Sequence, residues 1–107
     1  MKISQRRILC FFTLISSALL AGTAAAQDGQ TLFAQKACIT CHGESGKTPI
    51  MPLYPKLAGQ NKEYLIQQMK DIKSGARTNG QAAVMAPIVA NLSDEEIKAI
   101  AEYLSTQ

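Results

Sequence analysis

Residues 38–42 read Cys-Ile-Thr-Cys-His, a Cys-x-x-Cys-His pentapeptide typical of a covalently attached c-type haem. The thiols of Cys38 and Cys41 can each add across one vinyl group of a porphyrin. The imidazole of the adjacent His42 can then bind the iron through a ring nitrogen. We therefore expect one covalently bound haem c with its iron, and a fold that is built around it.

Other uses of a cysteine pair fit this sequence less well. A thioredoxin-like redox pair belongs on a strand-helix-strand scaffold, and the chain shows no alternation of strand and helix patterns. A structural zinc ion requires four ligands, but after residue 26 the thiol and imidazole donors are limited to Cys38, Cys41 and His42. A disulfide between the two cysteines would close too small a loop to stabilise the fold much.

The first 26 residues have the pattern of a secretory signal peptide. Three basic side chains precede an apolar run at residues 8–21, and the small residues 22–26 provide a cleavage site of the Ala-x-Ala type. We expect cleavage after Ala26 and a single mature domain at residues 27–107. One alternative stays open, because the apolar run can be extended to Ala26 and then approaches the ~20 residues of a membrane anchor.

The charge of the chain lies mostly in this leader. Three of the 11 basic side chains precede residue 27, which leaves eight basic and eight acidic side chains in residues 27–107. A neutral domain with no basic stripe is not expected to bind nucleic acid. A domain of this size has only a marginal core, so a large apolar cofactor would supply much of the missing buried surface.

Helix signals recur along residues 27–107 and strand signals do not, so we predict an all-α fold of three to five helices. Asp28 and Asn61 are candidate N-caps for the first two helices. Ser93 and Glu96 form a capping box at the start of the last helix. The positions expected to face the core are Leu32, Phe33 and Ala37, then Leu65, Met69 and Ile72, and finally Ile97, Ile100, Ala101 and Leu104.

Two segments lack helix signals. Residues 43–59 contain three glycines and three prolines, which exclude a regular helix, so we expect this segment to wrap around the cofactor. Residues 77–84, with Gly80 in the middle, are predicted to form a polar loop after the second helix ends at Ser74 and Gly75.

A family resemblance rests on this haem motif together with residues 54–60, which read Tyr-Pro-Lys-Leu-Ala-Gly-Gln. The chain resembles the class I c-type cytochromes, most closely the small monohaem bacterial periplasmic kind, over essentially all of residues 27–107. The resemblance implies a small cytochrome c fold wrapped around one covalently bound haem. Its first and last helices are expected to pack together through Gly29, Phe33, Ile100 and Tyr103.

The resemblance also implies roles for two residues outside the pentapeptide. Pro55 stands where the family's proline carbonyl accepts a hydrogen bond from the imidazole, here that of His42. Met85, in the sequence Val-Met-Ala-Pro, stands where the family carries its second axial ligand. Met51 is a rival ligand, but the prolines around it are expected to hold it near the edge of the haem on the His42 side. Met69 lies on an apolar helix stripe and is interpreted as core.

The expected ligand pair of His42 and Met85 limits the chemistry. Iron with a ligand on each side has no open position for a substrate or for oxygen. The chain is therefore predicted to be a periplasmic one-electron carrier and not an enzyme. If Met85 does not ligate the iron, peroxidase or gas-binding chemistry becomes the alternative.

The expected partners are a redox protein that donates the electron and another that accepts it. We expect a monomer that binds no nucleic acid and meets a membrane only through partner complexes. A second interpretation makes the domain the haem-bearing subunit of a periplasmic oxidoreductase. Many members of the resembled group carry two such domains in tandem, whereas this chain has one motif, so the partner stays open.

Overall fold

The structure, a computed structural model, describes residues 27–107, so the predicted signal peptide lies outside the described residues. Within them the chain forms five α-helices, one short 3-10 helix at Glu44–Gly46 and no strand. The α-helices are α1 (Gly29–Gln35), α2 (Cys38–His42), α3 (Lys62–Ser74), α4 (Ala82–Val89) and α5 (Asp94–Ser105). The predicted all-α fold of three to five helices is therefore confirmed. None of the described helices is both long and apolar enough to span a bilayer.

The three predicted N-caps are all formed. The Asp28 carboxylate accepts a hydrogen bond of 2.8 Å from the backbone N–H of Thr31. The Asn61 side chain accepts from two backbone N–H groups in the first turn of α3. Ser93 and Glu96 form both halves of a capping box at the start of α5. Each cap satisfies backbone donors that have no partner within the helix.

The first prediction to fail concerns Ala37, which was expected on the buried side of α1. The helix ends before it, and Ala37 is exposed, with a left-handed φ of 64°. This conformation is costly for a residue with a Cβ. It turns the chain sharply between α1 and α2, so Ala37 leaves the apolar stripe of α1 and the haem motif forms a helix of its own.

Helix α1 packs closely across helix α5. Gly29 allows this approach, because a Cβ at that position would lie 2.0 Å from the carbonyl oxygen of Ala99. Four residues further along, the rings of Phe33 and Tyr103 meet with their centroids 6.0 Å apart. Ile100 is buried on the same helix as Tyr103. The expected contact between the first and last helices is therefore confirmed.

Helix α4 was not predicted, and the expected loop at residues 77–84 is shorter than the sequence suggested. The helix begins at Ala82 and runs through Pro87 to Val89. Ala82 and Val89 are buried seven positions apart, which is two helical turns, so α4 presents one side to the core. Packing of α4 against α3 stabilises a helix that its proline would otherwise weaken.

The segment between α2 and α3 is irregular, as predicted, and backbone hydrogen bonds hold it at both ends. The carbonyl oxygen of Gly46 accepts from the N–H of Leu57 at 2.9 Å. The N–H of Gly59 donates to the carbonyl oxygen of Leu104 in α5 at 2.9 Å. The segment therefore forms a fixed wall beside the haem motif.

Candidate haem site

A cavity of about 320 Å³ lies between α2, the irregular segment, α3 and α4. Cys38, Cys41, His42 and Met85 all line it. Three of these residues lie in α2, and the fourth comes from α4, more than 40 positions later in the chain. The fold thus brings the four predicted site residues to one cavity.

The two thiols lie in the same short helix and are free of any disulfide. Cys38 is buried and Cys41 is partly exposed. Burial raises the pKa of the Cys38 thiol above its ordinary value, because a thiolate would be poorly solvated there. An uncharged sulfur suits this wall of the cavity, and a thioether is uncharged.

His42 is 4% exposed and makes one well-defined hydrogen bond. Its Nδ1 lies 2.9 Å from the carbonyl oxygen of Pro55. A carbonyl oxygen can only accept, so Nδ1 must carry the proton and donate it. In the neutral ring the other nitrogen, Nε2, then keeps its lone pair, which is the form of imidazole that binds a metal. The contact expected between His42 and Pro55 is confirmed.

Three methionines are possible sources of the second axial ligand, and they differ in where they lie relative to the cavity. Met85 lines the cavity and is half-buried. Met51 is 43% exposed and is not among the residues that line the cavity. Met69, interpreted from the sequence as core, packs against the core and also lines the cavity. The cavity therefore contains two thioether side chains, one from α3 and one from α4.

The rest of the cavity wall is largely apolar. It includes five buried side chains from three helices: Phe33, Leu65, Ile72, Ile100 and Leu104. The donor set of two thiols, one imidazole and a thioether against apolar walls fits a covalently attached haem. It fits a directly bound metal ion less well, because no group of three His, Cys, Asp or Glu side chains in residues 27–107 is arranged to hold one.

The polar side of the cavity was not predicted from the sequence. Gln68 in α3 and Arg77 just after α3 both line it. Polar residues on and after an amphipathic helix are usually solvated. The sequence therefore gave no signal that these two side chains would lie at the site.

The chain is similar in sequence to known proteins. The family model described as cytochrome c matches residues 26–107. The chain is 44% identical over 70 residues to cytochrome c-554(548) of Halomonas halodenitrificans, covering 65% of this chain and 83% of that protein. It is 43% identical over 100 residues to cytochrome c4 of Pseudomonas aeruginosa, covering 94% of this chain and 46% of the relative. It is 39% identical over 97 residues to the thiosulfate dehydrogenase electron acceptor of Stutzerimonas stutzeri, covering 84% of this chain and 44% of that protein.

The chain spans less than half the length of the last two relatives. A solved structure gives the same picture of the fold. The cytochrome c4 structure from Acidithiobacillus ferrooxidans matches with a TM-score of 0.63 and 32% identity, over 74% of this chain and 48% of that one. Members of the matched family hold haem c covalently through the Cys-x-x-Cys-His motif, which this chain carries at residues 38–42. The chain belongs to the cytochrome c family.

Proposed function

We propose that this chain is a periplasmic one-electron carrier, with haem c attached to Cys38 and Cys41 and with His42 and Met85 as axial ligands. The observation that carries the proposal is the hydrogen bond between Nδ1 of His42 and the carbonyl oxygen of Pro55. It leaves Nε2 as the metal-binding nitrogen in a cavity that both thiols and Met85 also line. When bound, the haem supplies an iron centre that gains and loses one electron.

The chain's own residues prepare the site for that chemistry. The bond from His42 to Pro55 fixes the ring orientation and makes the nitrogen ligand more basic. The thioether of Met85 would be a soft ligand that favours ferrous iron and so raises the reduction potential. Apolar side chains such as Leu65 and Ile100 exclude water from the cavity wall. This exclusion of water would also raise the reduction potential of a bound haem, because it disfavours the more highly charged ferric state.

The ligand pair also argues against an enzyme. If His42 and Met85 both bound the iron, no coordination position would remain for a substrate. The site then does no more than pass electrons to and from other proteins. We propose a donor and an acceptor that are both redox proteins, with no role for nucleic acid and with membranes reached only through those partners.

The location and the domain boundary are part of the proposal. The leader pattern supports export to the periplasm, cleavage after Ala26 and a mature cytochrome c domain at residues 27–107. We further propose that this domain works as a monomer.

A second candidate function is that of a haem-bearing subunit of a periplasmic oxidoreductase. One relative that matches 84% of this chain is named as the electron acceptor of thiosulfate dehydrogenase. In this case the chain would accept electrons directly from a dehydrogenase and remain bound to it. Co-purification of the native protein with a large catalytic chain would favour this candidate over a free carrier.

The proposal can be tested on the full chain, expressed in a bacterial host that attaches c-type haem. We expect the periplasmic protein to begin at Gln27 and to have an intact mass that includes one haem. Its reduced form should not bind carbon monoxide, because both axial positions are filled. A mass equal to that of the bare polypeptide would overturn the proposal, and carbon monoxide binding would overturn the ligand pair.

A further inference from the structure

Arg77 is held firmly beside the cavity. It follows α3, and its backbone N–H donates to the carbonyl oxygen of Asp71 at 3.0 Å. Its Nη1 donates to Oε1 of Gln68 at 2.9 Å. Both Arg77 and Gln68 line the cavity that the site residues share. The backbone of Arg77 is thus held by Asp71, and its guanidinium is held by the neutral amide of Gln68.

The charge of this guanidinium is not balanced within the described part of the chain. The ion pairs found there are Lys36 with Glu96, Lys62 with Glu102 and Lys70 with Asp94. The nearby carboxylate of Asp71 accepts instead from the Gln67 amide at 2.7 Å. Arg77 is half-buried, and partial burial of a cation without an anion is unfavourable. A carboxylate bound beside Arg77 would therefore balance this charge.

The proposed occupant of this cavity carries two carboxylates, the haem propionates. We propose that Arg77 binds a haem propionate and that Gln68 positions its guanidinium for this contact. The inference rests on the proposed haem site. A guanidinium has several donors in a planar fork, so it can bind a carboxylate through two parallel hydrogen bonds while it still donates to Gln68.

Other polar groups at the cavity are weaker candidates for this contact. Lys56 also lines the cavity, but it is exposed and lies in the irregular segment. An ammonium on a flexible stem lacks the fork that matches a carboxylate. Tyr54 and Tyr64 line the cavity as well, and each can offer one hydroxyl donor but no positive charge.

The test is the reduction potential of the purified haem protein, measured from about pH 5 to about pH 9 for the wild type and for Arg77→Gln. At the upper end the variant should have the lower potential, because loss of a nearby positive charge favours the ferric state. As the pH falls, the propionate that has lost its partner should take up a proton. The potential of the variant should then rise towards or above that of the wild type.

Three further variants make the result specific. Lys56→Gln removes a positive charge from the same cavity. The difference between its reduction potential and that of the wild type should stay constant with pH. Arg77→Lys keeps the charge and should restore much of the wild-type profile. Gln68→Leu should give a change of the same sign as Arg77→Gln but smaller, and it tests the inference if Arg77→Gln does not fold.

The outcomes separate this inference from the proposed function. A haem-bearing Arg77→Gln protein whose potential runs parallel to that of the wild type would overturn the inference and leave the haem site intact. The inference would equally fail if Lys56→Gln, and not Arg77→Gln, produced the pH-dependent difference. A wild-type protein without attached haem would instead overturn the proposed function.

Discussion

Nδ1 of His42 donates a hydrogen bond of 2.9 Å to the carbonyl oxygen of Pro55, 13 positions later in the chain. Pro55 is in turn held by the segment around it, in which Gly46 accepts from Leu57 and Gly59 donates to Leu104 of α5. The orientation of the imidazole therefore depends on backbone contacts between the irregular segment and the last helix. Because these contacts involve the polypeptide alone, the imidazole is oriented by the fold itself.

We predict that Gly46→Ala will disturb this arrangement. Gly46 has a φ of 69°, and a Cβ there would lie 2.9 Å from Cδ2 of Leu104 and 3.0 Å from Cβ of Leu57. The positive φ should cost about 1–2 kcal/mol, and the crowding about 1–3 kcal/mol more. Chemical denaturation of the haem protein measures this loss of unfolding free energy.

Gly75→Ala is the matched control for that prediction. Gly75 has a similar φ of 82°, but nothing lies within 4 Å of the position of its Cβ. It should show the backbone cost of about 1–2 kcal/mol alone. Equal losses in the two variants would show that crowding of the added Cβ against Leu104 and Leu57 contributes little.

The two cysteines should each contribute one thioether bond. Cys38→Ala or Cys41→Ala should leave one covalent link and lower the yield of haem protein, whereas the double variant should lose its haem on denaturation. Intact mass and haem staining after denaturing electrophoresis measure this. Retention of haem by the denatured double variant would show that these thiols are not the attachment points.

The capping box should make part of the stability depend on acid. The backbone N–H of Ser93 holds the pKa of Glu96 below its ordinary value, and Lys36 acts in the same direction. A carboxylate whose pKa is lower in the folded state adds stability above its unfolded pKa, and this stability is lost as the pH falls through the folded value. Glu96→Gln should therefore be less stable than the wild type at neutral pH, and the difference should shrink in acid.

Urea unfolding from about pH 7 to about pH 3 measures this dependence. Glu95→Gln is the control, because this neighbouring residue is exposed in the same first helical turn. Its stability should follow the wild type more closely over this range. A difference between Glu96→Gln and the wild type that stays constant with pH would contradict the linkage.

The sequence predicted those parts of the fold that depend on local chemistry. Asp28, Asn61 and Ser93 cap helices because their side chains accept bonds from nearby backbone N–H groups, and this pattern is visible in the sequence. Helix α4 was missed because its stability comes from packing against α3. The break at Ala37 was missed because a left-handed alanine has no sequence signal.

The candidate site also contains residues that could be predicted from local sequence and residues that could not. Cys38, Cys41 and His42 are close in sequence, so their presence at one cavity could be predicted from the motif alone. The presence of Met85 at the same cavity depends on how α4 folds back, and a family resemblance indicated it. The end of α3 at Ser74 and Gly75 was predicted from the sequence. The location of Arg77 at the cavity also depends on its contact with Gln68, which has no sequence pattern.

Recognition of redox partners should depend only weakly on salt. Residues 27–107 carry equal numbers of acidic and basic side chains. Leu53 and Val84, which line the cavity, are 68% and 51% exposed and offer apolar contact surface. The rate of electron transfer with the natural partner should therefore change little between low and physiological ionic strength. A rate that falls steeply as the ionic strength rises over this range would show that charged side chains dominate recognition.

The identity of the second axial ligand can be decided with three methionine variants. Met85→Ala should alter the spin state of the iron, lower the reduction potential and allow the reduced form to bind carbon monoxide, because a thioether ligand is lost. Met51→Ala should keep the native spectrum, since this side chain is not among the residues that line the cavity. Met69→Leu should also keep the spectrum and cost less than about 1.5 kcal/mol, because leucine fills a similar volume. The assignment would be wrong if Met85→Ala kept the native spectrum while Met69→Leu or Met51→Ala bound carbon monoxide. The methionine replaced in that variant would then be the axial ligand.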